Sequence, residues 1–82
     1  MFMKHRTKPI GNKNLIGTKV VTLRKEQGIK QKEFLAMLQT QGIDISATSL
    51  SRLEGQYRLV TDFEIVAISK LFRITTDELL SS

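Results

Sequence analysis

From Asn14 onward, apolar residues return every three or four positions in short segments, and each segment is closed by a glycine or opened by a hydroxylated residue. That spacing turns one helix face toward a core, so the chain is restricted to several short helices packed on one another. Leu15, Ile16, Val20 and Leu23 predict a first helix over about 14–27, ended by Gly28. Phe34, Leu35 and Leu38, opposite Lys32 and Glu33, predict a second over 31–39, with Gly42 at its exit. Ile43 and Ile45 alternate about Asp44, but three residues without a pairing partner make no sheet, and a buried connecting turn is expected. Ser46 is a good N-cap for a third helix whose inner edge is Leu50 and Leu53 and which ends near Glu54 and Gly55. Thr61 or Asp62 opens a fourth through Phe72, with Phe63, Val66, Ala67 and Leu71 on the core side; Ile65, Ile68 and Phe72 exceed what one face needs. Thr75 or Thr76 opens a short fifth, whose Asp77 and Glu78 suit the positive end of a helix dipole, before Leu79 and Leu80. The expected fold class is all-α.

An 82-residue chain without cysteine must be held together by apolar packing, and its core is too small to enclose a catalytic cavity as well. One domain over 14–82 is expected, preceded by a flexible basic arm over 1–13 that contains Pro9, Gly11 and Asn12 and lacks apolar periodicity. The longest apolar run is Ile65 to Ile68, far short of the roughly 20 residues of a membrane span. No apolar stretch of the kind an export signal needs follows Met1 to Lys4, so a cytoplasmic location is expected.

The net charge of +5 is unevenly spread: Lys4, Arg6, Lys8 and Lys13 are unopposed at the front, while Asp62, Glu64, Asp77 and Glu78 outnumber Lys70 and Arg73 at the rear. Such asymmetry suits a protein that offers one side to a polyanion, and equally suits a solvated basic surface. His5, the sole histidine, has no cysteine or paired carboxylate at ligand spacing, so no metal is expected. There is no glycine-rich phosphate loop and no serine–histidine–aspartate set; neither an enzyme nor a cofactor is expected. The phenylalanines of the second and fourth helices read as core rather than as platforms for stacking bases.

Two short helices in tight succession, the second with a small, polar outer face of Ala47, Thr48, Ser51 and Arg52, can place that second helix in a DNA major groove. Here a resemblance enters. Ile16-Gly17 with Leu23 to Gly28, Lys30 to Phe34, Leu50 to Gly55, then Arg58, Thr61, Phe63-Glu64, Ala67, Leu71 and Ile74 to Leu80 resemble, in order and spacing, the phage-repressor and Cro type of helix-turn-helix transcriptional regulators, the XRE-like family. The resemblance covers about residues 15–80 and implies a five-helix, lambda-repressor-like DNA-binding domain.

It also implies roles. Ala47, Thr48, Ser51 and Arg52 would face base edges, Ala47 a thymine methyl and Arg52 a guanine, with Arg52 otherwise pairing with an acid or a phosphate. Lys30, Gln31, Ser46, Ser49 and Arg58 would meet phosphates, Gln31 from a helix N-terminus. For Ser46 plain capping is an equal alternative, and for Arg58 fastening of the loop. Arg24 and Glu54 would form a structural ion pair. The implied partner is a double-stranded operator bound by a homodimer, because one short helix reads only a few base pairs. Ile65, Ile68, Phe72, Leu79 and Leu80 are candidates for the dimer contact or for completing the core. The implied function is transcriptional repression or activation; the alternative is a protein-interaction module of the same fold, such as an antitoxin or a regulator of another regulator. Three departures stand out: Leu35 where the family has a small residue, a connection from Gln39 to Ile45 about three residues longer than usual, and Gln56 where glycine is common, which predicts a turn one residue sooner, at Gly55.

Overall fold

In a computed structural model, which describes residues 10–81, the chain forms five helices: α1 (Gly17–Glu26), α2 (Gln31–Thr40), α3 (Ala47–Glu54), α4 (Asp62–Phe72) and α5 (Thr76–Leu80). No strand occurs among the described residues. No described helix is long and apolar enough to cross a membrane. Residues 1–9 of the expected arm, His5 among them, lie outside the described residues.

The helix starts follow local chemistry. Ser46, Thr61 and Thr75 accept a hydrogen bond from the amide three residues on, and Glu64 and Glu78 in turn accept one from the amide of Thr61 and of Thr75, which satisfies donors that a helix start leaves unpaired. At α2 only the returning half exists: Glu33 accepts from the Lys30 amide at 2.8 Å, since an ammonium group has no lone pair to offer. α1 begins three residues later than the periodicity suggests. Asn14 stands outside the helix, and its Oδ1 accepts from the amides of Ile16 and Gly17 at 3.1 and 2.9 Å.

Four helices end in the same way. At Gly28, Gly42, Gln56 and Arg73 the backbone turns left-handed, with φ of 68°, 88°, 64° and 58°. The following apolar residue, Ile29, Ile43, Tyr57 or Ile74, donates its amide to the carbonyl five residues back, at 2.8 to 3.1 Å. This is a Schellman closure, and it reverses the chain while satisfying an orphan carbonyl. At Gln56 the expectation of an earlier turn is overturned, because Gly55 is right-handed (φ −83°) and the reversal falls on Gln56 itself. The side chain accounts for it: Gln56 accepts from Thr18 Oγ1 and donates to the Asn14 carbonyl, both at 2.7 Å.

The core joins Ile16 and Val20 of the α1 region, Phe34 and Leu38 of α2, Ile45, Leu50 and Leu53 around α3, Ala67, Ile68 and Phe72 of α4, and Leu79 of α5. Phe34 and Phe72 stack with centroids 5.1 Å apart. Ile68, Phe72 and Leu79 are thus core residues and cannot supply a dimer face; Leu80 is partly exposed. Phe63 and Val66, expected inside, are 78% and 44% exposed. Apolar residues surround much of α4, so periodicity left its inward arc undetermined, and the structure chose the arc centred on Ala67, Ile68 and Phe72. Leu15, expected on the inner face of α1, is 77% exposed because it precedes the helix.

The described residues of the expected arm, 10–13, are tied to the end of α3. The amides of Gly11 and Lys13 donate to the carbonyls of Gly55 and Gln56 at 2.8 and 2.9 Å, which docks this segment on the end of α3.

Candidate functional site

α3 has a short, amphipathic sequence: Leu50 and Leu53 are fully buried, and Ala47, Thr48, Ser51 and Arg52 are exposed together on the opposite side. The Arg52 side chain makes no hydrogen bond or ion pair among the described residues. Ser46 caps the helix through its hydroxyl, which accepts from the Ser49 amide at 3.1 Å. Ser49 is half-buried, and its carbonyl receives Arg58 Nε at 2.9 Å.

The C-terminal end of α3 is locked from both α1 and α2. Glu54, buried, takes Nε and Nη2 of Arg24 on its two oxygens at 2.8 and 2.9 Å. Arg24 also donates through Nη1 to the carbonyl of Ile29, so the pair ties α1, the α1–α2 turn and α3. Gln31, first residue of α2, donates through Nε2 to Glu54 Oε1 at 2.9 Å, and its Oε1 accepts a longer bond from Ser51 Oγ at 3.4 Å. A primary amide has two N–H donors, so Gln31 keeps one that Glu54 does not use. Lys30 and Lys32, both exposed, flank it at the positive end of α2.

Beneath this network α1 and α3 approach closely. A side chain at Gly17 would strike the carbonyl oxygens of Leu53 and Glu54, the latter at 2.8 Å from a Cβ there. Asn14 completes the junction, its Nδ2 donating to the carbonyls of Leu53 and Arg58 at 3.1 and 2.9 Å.

Arg58 is used internally. Its guanidinium reaches both oxygens of Glu64 at 3.0 and 2.8 Å and the carbonyls of Ser49 and Leu59 at 2.9 and 2.8 Å, fastening the α3–α4 loop to α4. Burial raises the Glu64 pKa, but the hydrogen bonds and charge of Arg58 and the bonds from Thr61 outweigh it, and the carboxyl sits below its ordinary value.

The sequence-designated residues therefore divide. Ala47, Thr48, Ser51 and Arg52 form the exposed face of α3, with Gln31 beside Ser51, Lys32 beside Ala47 and Lys30 exposed just before α2; Arg24 and Glu54 are buried; Arg58 is turned into the loop. Asn14, Thr18 and Gln56 hold the end of α3; sequence reading assigns Asn14 and Thr18 no site role and marks Gln56 only as standing where glycine is common. An asparagine just before an apolar helix start is a recognisable cap signal, whereas nothing local marks a glutamine for a left-handed position. Among the described residues no cluster of three or more histidines, cysteines or carboxylates could hold a metal ion. No known family model, curated protein or solved structure matches the chain.

Proposed function

We propose that this protein is a sequence-specific double-stranded DNA-binding regulator of the helix-turn-helix type, with α2 and α3 as the helix pair of a lambda-repressor-like domain. α3 is its recognition helix, entering the major groove, and two copies bind two-fold-related half-sites. The observation that carries this reading is the construction of α3. Its outer face presents small and hydrogen-bonding side chains with an Arg52 side chain that is unpaired among the described residues, while its far end is fixed by the buried Arg24–Glu54 pair and by Gln31.

A helix meant to read base edges must meet them with little loss of freedom on binding, and rigid support beneath a polar face provides this. In this reading Arg52 bonds a guanine through its planar fork, Thr48 and Ser51 meet neighbouring edges, and Ala47 lies against a thymine methyl. The spare N–H of Gln31 meets a phosphate without releasing Glu54, with Lys30 and Lys32 adding counterion-releasing contacts. Arg58 supports the loop and touches no phosphate.

The test is selection from a randomised duplex pool at two salt concentrations, followed by anisotropy binding of wild type, Arg52→Ala and Gln31→Ala. An enriched inverted repeat is expected; Arg52→Ala relaxes one base position by about 1–3 kcal/mol, and Gln31→Ala weakens all sequences alike. Absence of any enriched sequence refutes the proposal and favours a protein partner for α3.

A further inference from the structure

α4 presents an arc that the core does not use. Asp62, Phe63, Val66 and Lys70 are all exposed and fall within about 100° of its circumference at 3.6 residues per turn. Phe63 and Val66 form one wall of a groove of about 410 Å³, with Gln41 and Ile43 of the α2–α3 connection opposite and Ala67 at its floor. None of Thr48, Ser51 or Arg52 lines it. A phenylalanine 78% exposed beside a valine 44% exposed is apolar area that a partner would remove from water.

The charges around this groove have a direction. Asp44 and Asp62 lie at its Phe63 end, and Lys70 and Arg73 at the other end of α4. Asp62 and Lys70 form no ion pair among the described residues. Each stands four residues from Val66, about 6 Å along the axis in opposite senses.

We propose that this face binds a second copy of the chain, α4 against α4, antiparallel about a two-fold axis at Val66. Such an axis requires a surface complementary to itself. It sets Asp62 of each copy opposite Lys70 of the other, Val66 against Val66, and Phe63 over the groove between Val66 and Lys70. A parallel pairing would oppose like charges, and a partner of one sign would satisfy only one end. A second exposed apolar cluster, Leu15, Leu59 and Leu80 around Ile65, has Lys13 as its one lining charge among the described residues and so offers no pair of opposite charges to fix a two-fold register. The proposal rests on the homodimer part of the functional reading and supplies the surface for it.

It is tested without DNA, by sedimentation velocity from low to high micromolar protein at low salt, with circular dichroism verifying that each variant is folded. Wild type is expected to dimerise with rising concentration. Lys70→Asp, which turns two attractive contacts into repulsive ones, should weaken dimerisation about tenfold or more. The double variant Asp62→Lys/Lys70→Asp should return to near the wild-type value. Phe63→Ser should abolish the dimer, and Leu59→Ser should leave it unchanged. The proposal is overturned if wild type stays monomeric throughout, if Lys70→Asp has no effect, or if Leu59→Ser alone disrupts association. Since α3 is not involved, this result and the duplex selection succeed or fail separately.

Discussion

Replacing Glu54 by leucine removes a carboxylate of similar bulk and leaves the Arg24 guanidinium in place. The Arg24 and Glu54 side chains are 10% and 6% exposed, so water cannot stand in for the lost partner. Arg24 would keep only its bond to the Ile29 carbonyl, and Gln31 Nε2 would lose its acceptor. Breaking a buried pair from one side costs about 3–5 kcal/mol, because the remaining charge is desolvated without compensation. An 82-residue domain has about 4–12 kcal/mol of stability in all, so the loss is a large share of the total. At about 4–8 °C per kcal/mol, the midpoint of thermal unfolding should fall by roughly 12–40 °C. Arg24→Met with Glu54→Leu removes both charges, and that double variant should recover most of the loss, since an apolar pair of similar volume replaces an ion pair at little net cost. Urea unfolding of the wild type, both single variants and the double variant, followed by far-ultraviolet circular dichroism, gives the coupling directly. If Glu54→Leu is unfolded in plain buffer, the four proteins are compared in a stabilising osmolyte. A loss below about 1 kcal/mol for Glu54→Leu, or a double variant no more stable than that single one, would refute the account of a buried charge pair locking α3.

Other outcomes follow from the same geometry. Arg73 is exposed and left-handed with no side-chain hydrogen bond among the described residues, so Arg73→Gly should leave stability unchanged or raise it by up to about 1 kcal/mol in urea unfolding. Gln56 is left-handed too but holds Thr18 and Asn14, so Gln56→Gly should destabilise, and Gln56→Ala should destabilise further because the strain stays when the bonds go. Gly17→Ala forces α1 away from the carbonyls of Leu53 and Glu54 and should cost about 1–3 kcal/mol by the same assay. Glu64, whose folded pKa lies below its unfolded value of 4.5, contributes stability that is full above that value and is lost as the pH falls through the folded pKa. Carboxyl NMR titration should show the depressed pKa, and Arg58→Met should raise it and flatten this part of the acid dependence.

Helix number and most boundaries were legible because local chemistry decides them: Ser46, Thr61 and Thr75 each accept from the amide three residues on, whatever the rest of the chain does. The inward face of α4 was not. Phe63, Val66, Ile65, Ile68 and Phe72 offer more apolar residues than one arc holds, and only the position of α2, whose Phe34 stacks on Phe72, selects among them. Two of the four left-handed closures carry glycine and can be read; at Gln56 and Arg73 a long side chain occupies the position, and the apolar residue that follows is the remaining hint. In the candidate site, residue types suggested Arg52 and Thr48 on an outer face. Arg58 was ambiguous because its two destinations, a phosphate and Glu64, are both anions, and only the fold brings Glu64 within 2.8 Å.

Asn14 has a consequence for how the molecule opens. One side chain holds the first amides of α1 and the last carbonyl region of α3, so neither end can fray while the other stays shut. The amide protons of Ile16 and Gly17 should therefore exchange with deuterium at a rate set by release of the α3 terminus, well below the rate usual for the first turn of a helix. The start of one helix and the end of another, some forty residues apart in sequence, would then belong to a single unit of unfolding.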